Sequence, residues 1–448
     1  MASAAEQIAS QISFANFAKA TELKKRIWFT LGALVIYRLG TYIPLPGIDP
    51  AALQDIFRQH AGGILGMFDM FAGGAFGRMT IFALNIMPYI SAMIIVQLLT
   101  AISPQFEALK KEGEAGRKKL NQYARYGTVV LATLQAYGIA IGLEGTTGSQ
   151  GSAVLDPGIF FRATTVITLV GGTVFLMWLG EQITARGVGN GTSLIIFAGI
   201  VANLPSSVAG TLELGRTGAM SAPVIVALLL MMAAVVTFIV FIERAQRRVI
   251  VQYPKRQVGN RMFGGESSHI PLKINASGVI PPIFASSLLL LPVAVAGFAP
   301  NQGGPDWLVD VSAFLGRGSW LYLTIYAAMI IFFAFFYTSV VFNPAETAEN
   351  LKKYGGFVPG IRPGAHTADH LDYILTRLTV VGALYLAAIS ILPEILISQY
   401  AVPFYFGGTS LLIVVSVTMD TVAQIQSHLL AHQYEGLIRK TRLKGRRE

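Results

Sequence analysis

The chain has 448 residues, of which 53% are hydrophobic and only 13% charged, and its mean hydropathy is +0.57. A soluble protein carries about 25% charged residues, so this composition excludes an ordinary soluble globule and indicates a polytopic α-helical membrane protein. Cysteine is absent, which excludes disulfides, thiolate catalysis and cysteine-ligated metals. A formal charge of +10 suits nucleic acid, anionic lipid or membrane topology alike, and the placement of the basic residues decides between them.

Residues 1–22 lack the apolar core of a cleavable signal and read as a cytoplasmic segment. Met1–Lys19 has the pattern of a weak amphipathic helix, with Ile8, Ile12, Phe14 and Phe17 on its apolar side. Ten apolar runs follow, each near the length of about 20 residues that crosses a hydrocarbon core. They lie near Ile27–Ile43, Ile81–Thr100, Tyr126–Leu143, Ala163–Ile183, Thr192–Val208, Pro223–Ile242, Val279–Phe298, Trp320–Phe342, Leu378–Leu396 and Tyr405–Ile425. Of the 34 Lys and Arg, 28 fall on the side that holds both ends of the chain and five on the other. Such a bias puts both termini in the cytoplasm, so most of the positive charge encodes topology. Arg38 lies inside the first run, close enough to its outer end to snorkel.

Five spans plus five predict two halves of opposite orientation, an inverted repeat with a site between them. The expected organisation is an N-terminal half over 23–210, a C-terminal half over 211–428 and a basic tail over 429–448. One segment fits neither span nor loop. "GGILGMFDMFAGGAFG", Gly62–Gly77, is apolar and bracketed by glycines, and its centre makes only about 14 Å of helix at 1.5 Å per residue. Non-spanning structure at membrane depth must be buried in protein or line a cavity. Met67, Phe68, Met70 and Phe71 suit an adaptable packing surface, and the flanking glycines suit a hinge. Asp69 is the odd residue there and is expected to face outer water.

Chemistry of other kinds finds little support. Glu181 and Asp420 sit near span ends, and no chain of Asp, Glu or His threads the spans, which argues against an ion-coupled transporter. His366 and His370 are spaced i, i+4, but no Glu follows the first, so no metal site is expected. "RGVGNGTS" lacks the lysine of a nucleotide-binding loop. Ser277-Gly278 has no histidine in any span to act as a base, which argues against an intramembrane enzyme. No catalytic residue and no cofactor are therefore expected.

Two cytoplasmic loops, 243–275 and 343–376, are longer than simple connections and are candidates for partner docking. The first, "ERAQRRVIVQYPKRQVGNRMFGGESSHIPLKIN", reads as a β-hairpin with its turn near Val258–Arg261. Basic loop tips suit a phosphate backbone, an acidic protein surface or anionic lipids.

Several stretches resemble the SecY family, the central channel subunits of the bacterial Sec protein translocase. They include "IPLPGID" (Ile43–Asp49), "IMPYISA" (Ile86–Ala92) and "KKEGEAGRKKLNQYARYGT" (Lys110–Thr128). "FLMWLGEQIT" (Phe175–Thr184), "FFYTSVVFNPAETAENLKK" (Phe335–Lys353), "FVPGIRPG" (Phe357–Gly364) and "VPFYFGGTSLLIVV" (Val402–Val415) extend the match. The resemblance covers Leu23 to Gly445. It implies an all-α polytopic membrane protein with ten transmembrane helices in two pseudosymmetric inverted halves around a central pore. A protein of that kind conducts unfolded secretory polypeptide across the bacterial inner membrane. It releases hydrophobic segments sideways, between the second and third helices and the seventh and eighth.

The resemblance also implies site residues. A ring of apolar side chains at the constriction maps to Ile86, Ile90, Thr192, Ile196, Ile283 and Ile413. Ile86/Ile90 and Thr192/Ile196 are i, i+4 pairs, each on one helix face. Apolar side chains around a narrow passage resist wetting and hold no ion, and they present no directed hydrogen bonds to a sliding chain. Thr192 stands where isoleucine is common, and its hydroxyl can bond back to its own helix. Gly62–Gly77 takes the position of the family's plug, with Ile64, Leu65, Met67, Phe68, Asp69, Met70 and Phe71 at its heart. Lys255, Arg256, Arg261 and Arg362 map to surfaces that engage the ribosome, its RNA and the ATPase SecA. The other partners implied are SecE, SecG, an unfolded preprotein with its signal peptide, and anionic lipids. Asn260 and Asn85 depart from the family pattern, Asn85 where a glycine is common. A membrane insertase without a transverse pore is the nearest rival, and it needs neither ring nor plug.

Overall fold

The computed structural model describes residues 21–49, 52–53, 69, 72–145, 147–148, 151–218, 221–254, 256–258, 261–263, 267–297, 320–400 and 408–444. The amphipathic helix expected over Met1–Lys19 lies outside the described residues, as do Ile64, Leu65, Met67, Phe68, Met70, Phe71, Lys255 and Asn260.

Every predicted span falls on a helix. In chain order these are α1 (Thr21–Gly40), α2 (Met87–Ile102), α3 (Pro104–Lys111), α4 (Glu114–Gly145), α5 (Ile159–Arg186), α6 (Gly191–Ala202) and α7 (Leu204–Arg216). Then come α8 (Ala222–Arg244), α9 (Ile280–Gly297), α10 (Trp320–Val341), α11 (Pro344–Lys353), α12 (Ala365–Tyr400) and α13 (Gly408–Lys444). Among the described residues, seven helical segments are long and apolar enough to cross a membrane, and α2 with α3, bent by 99°, forms an eighth. α1 has the length of a span, but five charged residues interrupt it, and the described apolar stretch of α9, Ile280–Leu289, is short.

Local chemistry explains the departures from the predicted bounds. The second span starts at Met87, not Ile81, because Met79 and Asn85 hold positive φ of 42° and 49° and interrupt a helix there. Pro88 then sits in the first turn, where its missing N–H costs nothing. The fifth span divides at Asn203, where Pro205 opens α7. The position expected as the boundary between halves, residue 210, lies inside α7, and the chain turns at Thr217–Gly218. α13 continues well past the apolar run, so the backbone stays helical into the basic tail as far as Lys444.

Within the first half α4 packs on α2 and α5, and α5 on α6; within the second, α10 packs between α9 and α12, and α12 on α13. The halves meet along two seams. On one, α9 packs against α2 and α4; on the other, α13 packs against α6 and α1. The second seam carries a directed bond, Gly189 N–H to Gln424 Oε1 at 2.9 Å. At one end of the first, Lys110 Nζ donates to the Val340 carbonyl at 3.3 Å. α8 differs from the rest. It is strongly apolar yet mostly exposed, so its outer face is available to lipid or a partner helix.

The loop over 243–275 is a hairpin. β3 (Gln246–Gln252) pairs antiparallel with β6 (Ser267–Lys273), and β4 (Arg256–Val258) with β5 (Arg261–Phe263). A small tie, β1 (Thr147–Gly148) to β2 (Gly151–Ser152), lies in the connection between α4 and α5.

Candidate functional site

A cavity of about 530 Å³ opens between the halves. Its apolar part is built by Ile90 and Met93 of α2, Ile196 of α6, and Ile280, Ile283 and Phe284 of α9. Its polar part holds Asn121, Arg125, Glu181, Asn190 and Thr192. Arg125 of α4 and Glu181 of α5 form a two-pronged ion pair on the wall, Nε to Oε1 at 2.9 Å and NH2 to Oε2 at 2.8 Å. Both side chains are partly exposed to the cavity. Pairs of this exposure contribute about 0.2–1 kcal/mol, so this one orients the wall more than it stabilises the fold.

Four of the six proposed ring residues, Ile90, Thr192, Ile196 and Ile283, meet at this cavity from three helices. Ile86 and Ile413 are not on its wall. They are buried in the continuous apolar core that also contains Ile90 and Ile196 and against which Ile283 packs. Thr192 is the second residue of α6, whose first turn is capped by the Asn190 side chain accepting from the N–H groups of Thr192 and Ser193. No preceding helical turn offers its hydroxyl a carbonyl, so the back-bond expected from sequence has no acceptor within α6. Asn85, just before the Ile86 cap, is buried at φ 49°. Left-handed backbone favours glycine, and asparagine is among the few other residues that adopt it routinely, so the departure keeps the required conformation.

At the other end of the site, the described residues of Gly62–Gly77 are held by directed polar contacts. The Gly73 carbonyl accepts from Arg38 NH1 at 2.8 Å and Arg78 NH2 at 3.2 Å. Arg38 therefore turns inward onto backbone and does not simply snorkel. Gly73 has φ 67°, and a Cβ there would stand 2.9 Å from the Gly199 Cα of α6. Its glycine is needed for close approach as well as for freedom to turn. Asp69 does not simply face outer water either. It is half-buried, and its Oδ1 accepts the Gly77 N–H at 2.5 Å. Burial raises its pKa above the usual carboxylate range, while the Gly77 N–H and the nearby Arg78 charge oppose that rise.

The two projecting loops, 243–275 and 343–376, form one unit. Gln252 and Phe357 exchange both backbone hydrogen bonds, at 2.9 and 3.0 Å. Val249, Leu272, Val358, Leu371 and Ile374 make a small core beneath them. Arg362 is exposed between two turn glycines, Gly360 at φ 82° and Gly364 at φ 108°, and its carbonyl accepts the Thr367 hydroxyl at 2.9 Å. Arg256 and Arg261 lie on the paired strands β4 and β5, nearer the hairpin tip. Among the described residues no cluster of His, Cys, Asp and Glu could hold a metal ion, and His366 and His370 both lie on α12.

This arrangement has counterparts. A family model described as SecY matches residues 80–422. The protein translocase subunit SecY of Rickettsia conorii is 53% identical over 432 residues, covering 96% of this chain and 99% of that protein. The chain belongs to the SecY family. The SecY of Escherichia coli strain K12 is 54% identical over 424 residues, covering 95% of this chain and 96% of that protein. A SecY-family chain is a membrane-embedded subunit of a protein translocase, a protein-conducting channel and not an enzyme. Solved structures agree on the fold. One described as a protein-conducting channel superposes with TM-score 0.64 at 17% identity, covering 90% of this chain and 92% of that one. Sec61 from a canine ribosome–channel complex gives 0.62 at 17% identity, with the same coverage. The ten-helix, two-half membrane fold expected from sequence is the SecY-family fold.

Sequence reasoning missed the Arg125–Glu181 pair and the grip of Arg38 and Arg78 on Gly73. All four were visible only as charges near the ends of apolar runs. Their pairing depends on which helices are neighbours, which the spacing of residues within one run does not encode.

Proposed function

We propose that unfolded polypeptide enters the cavity between the halves, passes the ring Ile86, Ile90, Thr192, Ile196, Ile283 and Ile413, and displaces a plug formed by Gly62–Gly77. Apolar segments leave sideways through the seam where α9 meets α2 and α4. The observation that carries this reading is the convergence of Ile90, Thr192, Ile196 and Ile283, from three helices of two halves, on one cavity between them. Such a lining impedes ions without binding them and lets any side chain slide past. The halves 23–210 and 211–428 are the moving parts, and separating them along that seam breaks mainly apolar contacts.

The energy comes from outside the channel. Lys255, Arg256, Arg261 and Arg362, on the joined cytoplasmic projections, dock the ATPase SecA or the ribosome, whose RNA phosphates suit exposed guanidinium groups. SecE clamps the halves and SecG attaches peripherally. Anionic lipids meet the basic cytoplasmic rim. The protein resides in the bacterial inner membrane with both termini in the cytoplasm, as the basic-residue bias requires.

The test is reconstitution with SecE in liposomes, addition of SecA and ATP, and protease protection of a secretory precursor. ATP-dependent protection is the expected result. No protection, with folding and assembly verified, would overturn the reading.

A further inference from the structure

We propose that Glu181 is a specificity residue of the channel: it takes up a cation that flanks an apolar segment of the passing chain, in exchange for Arg125, while the apolar wall of the same cavity takes the segment. This rests on the channel reading given above and names the part of the substrate that the polar wall recognises.

The cavity between the halves has two kinds of wall. Tyr89, Met93 and Gln97 recur at i, i+4, i+8 along α2, so one face of that helix runs along the cavity. It passes from Ile90 and Met93, which share the apolar wall with Ile280, Ile283 and Phe284 of α9, to Gln97 one turn further on. Gln97 Oε1 is buried and has no hydrogen-bond partner among the described residues. A buried acceptor without a donor is uncommon, and an ammonium or guanidinium group supplies the donor it lacks. Asn121 and Arg125 sit i, i+4 on α4, and Glu181 and Thr184 i, i+3 on α5. Two other polar groups of this wall are engaged by backbone. The Thr184 hydroxyl donates to the Gly180 carbonyl and accepts the Gly191 N–H, and the Asn190 side chain caps α6. Of the described residues that line the cavity, Arg125 and Glu181 are the only charged ones. Glu181 is therefore the single anion beside the apolar wall.

Its present partner is exchangeable. The Arg125 side chain is 47% exposed and that of Glu181 34%, so both stay hydrated and the pair is weak and screened by salt. Arg125 can swing to water while another cation takes its place on the same two carboxylate oxygens, with one ion pair before and one after. A neutral flank offers no such exchange, and an acidic one meets Glu181 as a like charge. The cavity thus ranks passing segments by their flanking charge. It does so beside α2 and α9, whose seam is the sideways exit proposed above. On the proposed topology this end of α5 is the cytoplasmic one, from which a chain enters.

The experiment uses the complete complex in liposomes with SecA and ATP. Two secretory precursors differ only in the residues before the apolar segment, lysines in one and glutamines in the other. The readout is the ratio of their initial rates of protease protection. Glu181→Gln should lower the preference for lysine about threefold, a change of about 0.7 kcal/mol. Arg125→Gln removes the competing cation and should raise the same preference about threefold. A pair that merely holds the wall together would slow both precursors alike in both variants. An unchanged ratio, or a ratio that shifts the same way in both variants, overturns the proposal and leaves the channel reading standing. If neither precursor is protected by the wild-type complex, with folding and assembly verified, the channel reading fails and takes this one with it. Should Glu181→Gln not assemble, Arg125→Gln decides alone: a raised ratio supports the exchange, and an unchanged or lowered one overturns it.

Discussion

The two ends of the site are built from opposite chemistries. At the cavity, Ile90, Ile196 and Ile283 meet from separate helices with only dispersion and water exclusion between them. Around Gly73, a carbonyl, two guanidinium groups, a carboxylate and a tyrosine are placed within hydrogen-bond or ring-contact distance of their partners. Apolar contact is non-directional, so it tolerates any chain sliding through and reforms whatever passed. Directed polar contact holds one geometry and is lost outright when that geometry changes. On the proposed reading, the comparison assigns passage to the first region and state to the second: the proposed ring would govern how well ions cross an open channel, and the contacts around Gly73 how often it is open.

Four variants can break or sharpen that division. The largest effect is expected from Ile86→Gly with Ile90→Gly. Removing two buried side chains beside the cavity should raise resting ion flux on the order of a hundredfold, since each large-to-small change in a core costs about 2–5 kcal/mol of packing. Unchanged flux in planar bilayers would remove Ile86 and Ile90 from the ring. Arg362→Glu comes next. Its side chain is exposed and its backbone independently fixed, so motor-driven export measured by protease protection should fall roughly tenfold while resting flux stays constant. Normal export would refute the docking role, and altered flux would tie the projection to the seal.

Gly73→Val forces a β-branched residue into left-handed backbone against Gly199. At about 1 kcal/mol, the low end for that conformation, the seal should open roughly fivefold more often, read as open probability. Asp69→Asn is the smallest change and the only one that should tighten the seal. A carboxyl whose pKa is raised by burial takes a proton more readily in the closed state than when exposed. Its protonation therefore favours closure; that benefit is complete below the exposed value and is lost as pH rises through the raised one. Lowering outer pH should reduce wild-type flux. Asparagine should flatten that pH profile and lower neutral-pH flux roughly twofold, about 0.4 kcal/mol. A pH profile identical to wild type would show that Asp69 does not report on the seal.

How much of this was legible beforehand follows from what each feature depends on. The spans were legible because about 20 apolar residues have one use in a chain this poor in charge. The hairpin over 243–275 showed in its β-branched runs around a turn, and the ladder from Gln246–Lys273 to Gln252–Ser267 follows them. The start of α2 was misplaced because Ile81–Ile86 is as apolar as the helix after it, and only the left-handed backbone at Met79 and Asn85 interrupts it. The proposed ring isoleucines were named from family resemblance; taken alone, any of them reads as lipid-facing or core. Asp69 and Arg38 were assigned to water because a charge in an apolar run has that default. Both find backbone partners, the Gly77 N–H for Asp69 and the Gly73 carbonyl for Arg38, and backbone groups leave no mark in the sequence.

Single-channel recording of the reconstituted complex tests the division most directly. Ile86→Gly with Ile90→Gly should change the conductance of the open channel, whereas Gly73→Val should change open probability at the wild-type conductance. A ring variant with unaltered conductance, or a Gly73 variant that alters conductance and not open probability, would contradict the separation of passage from state.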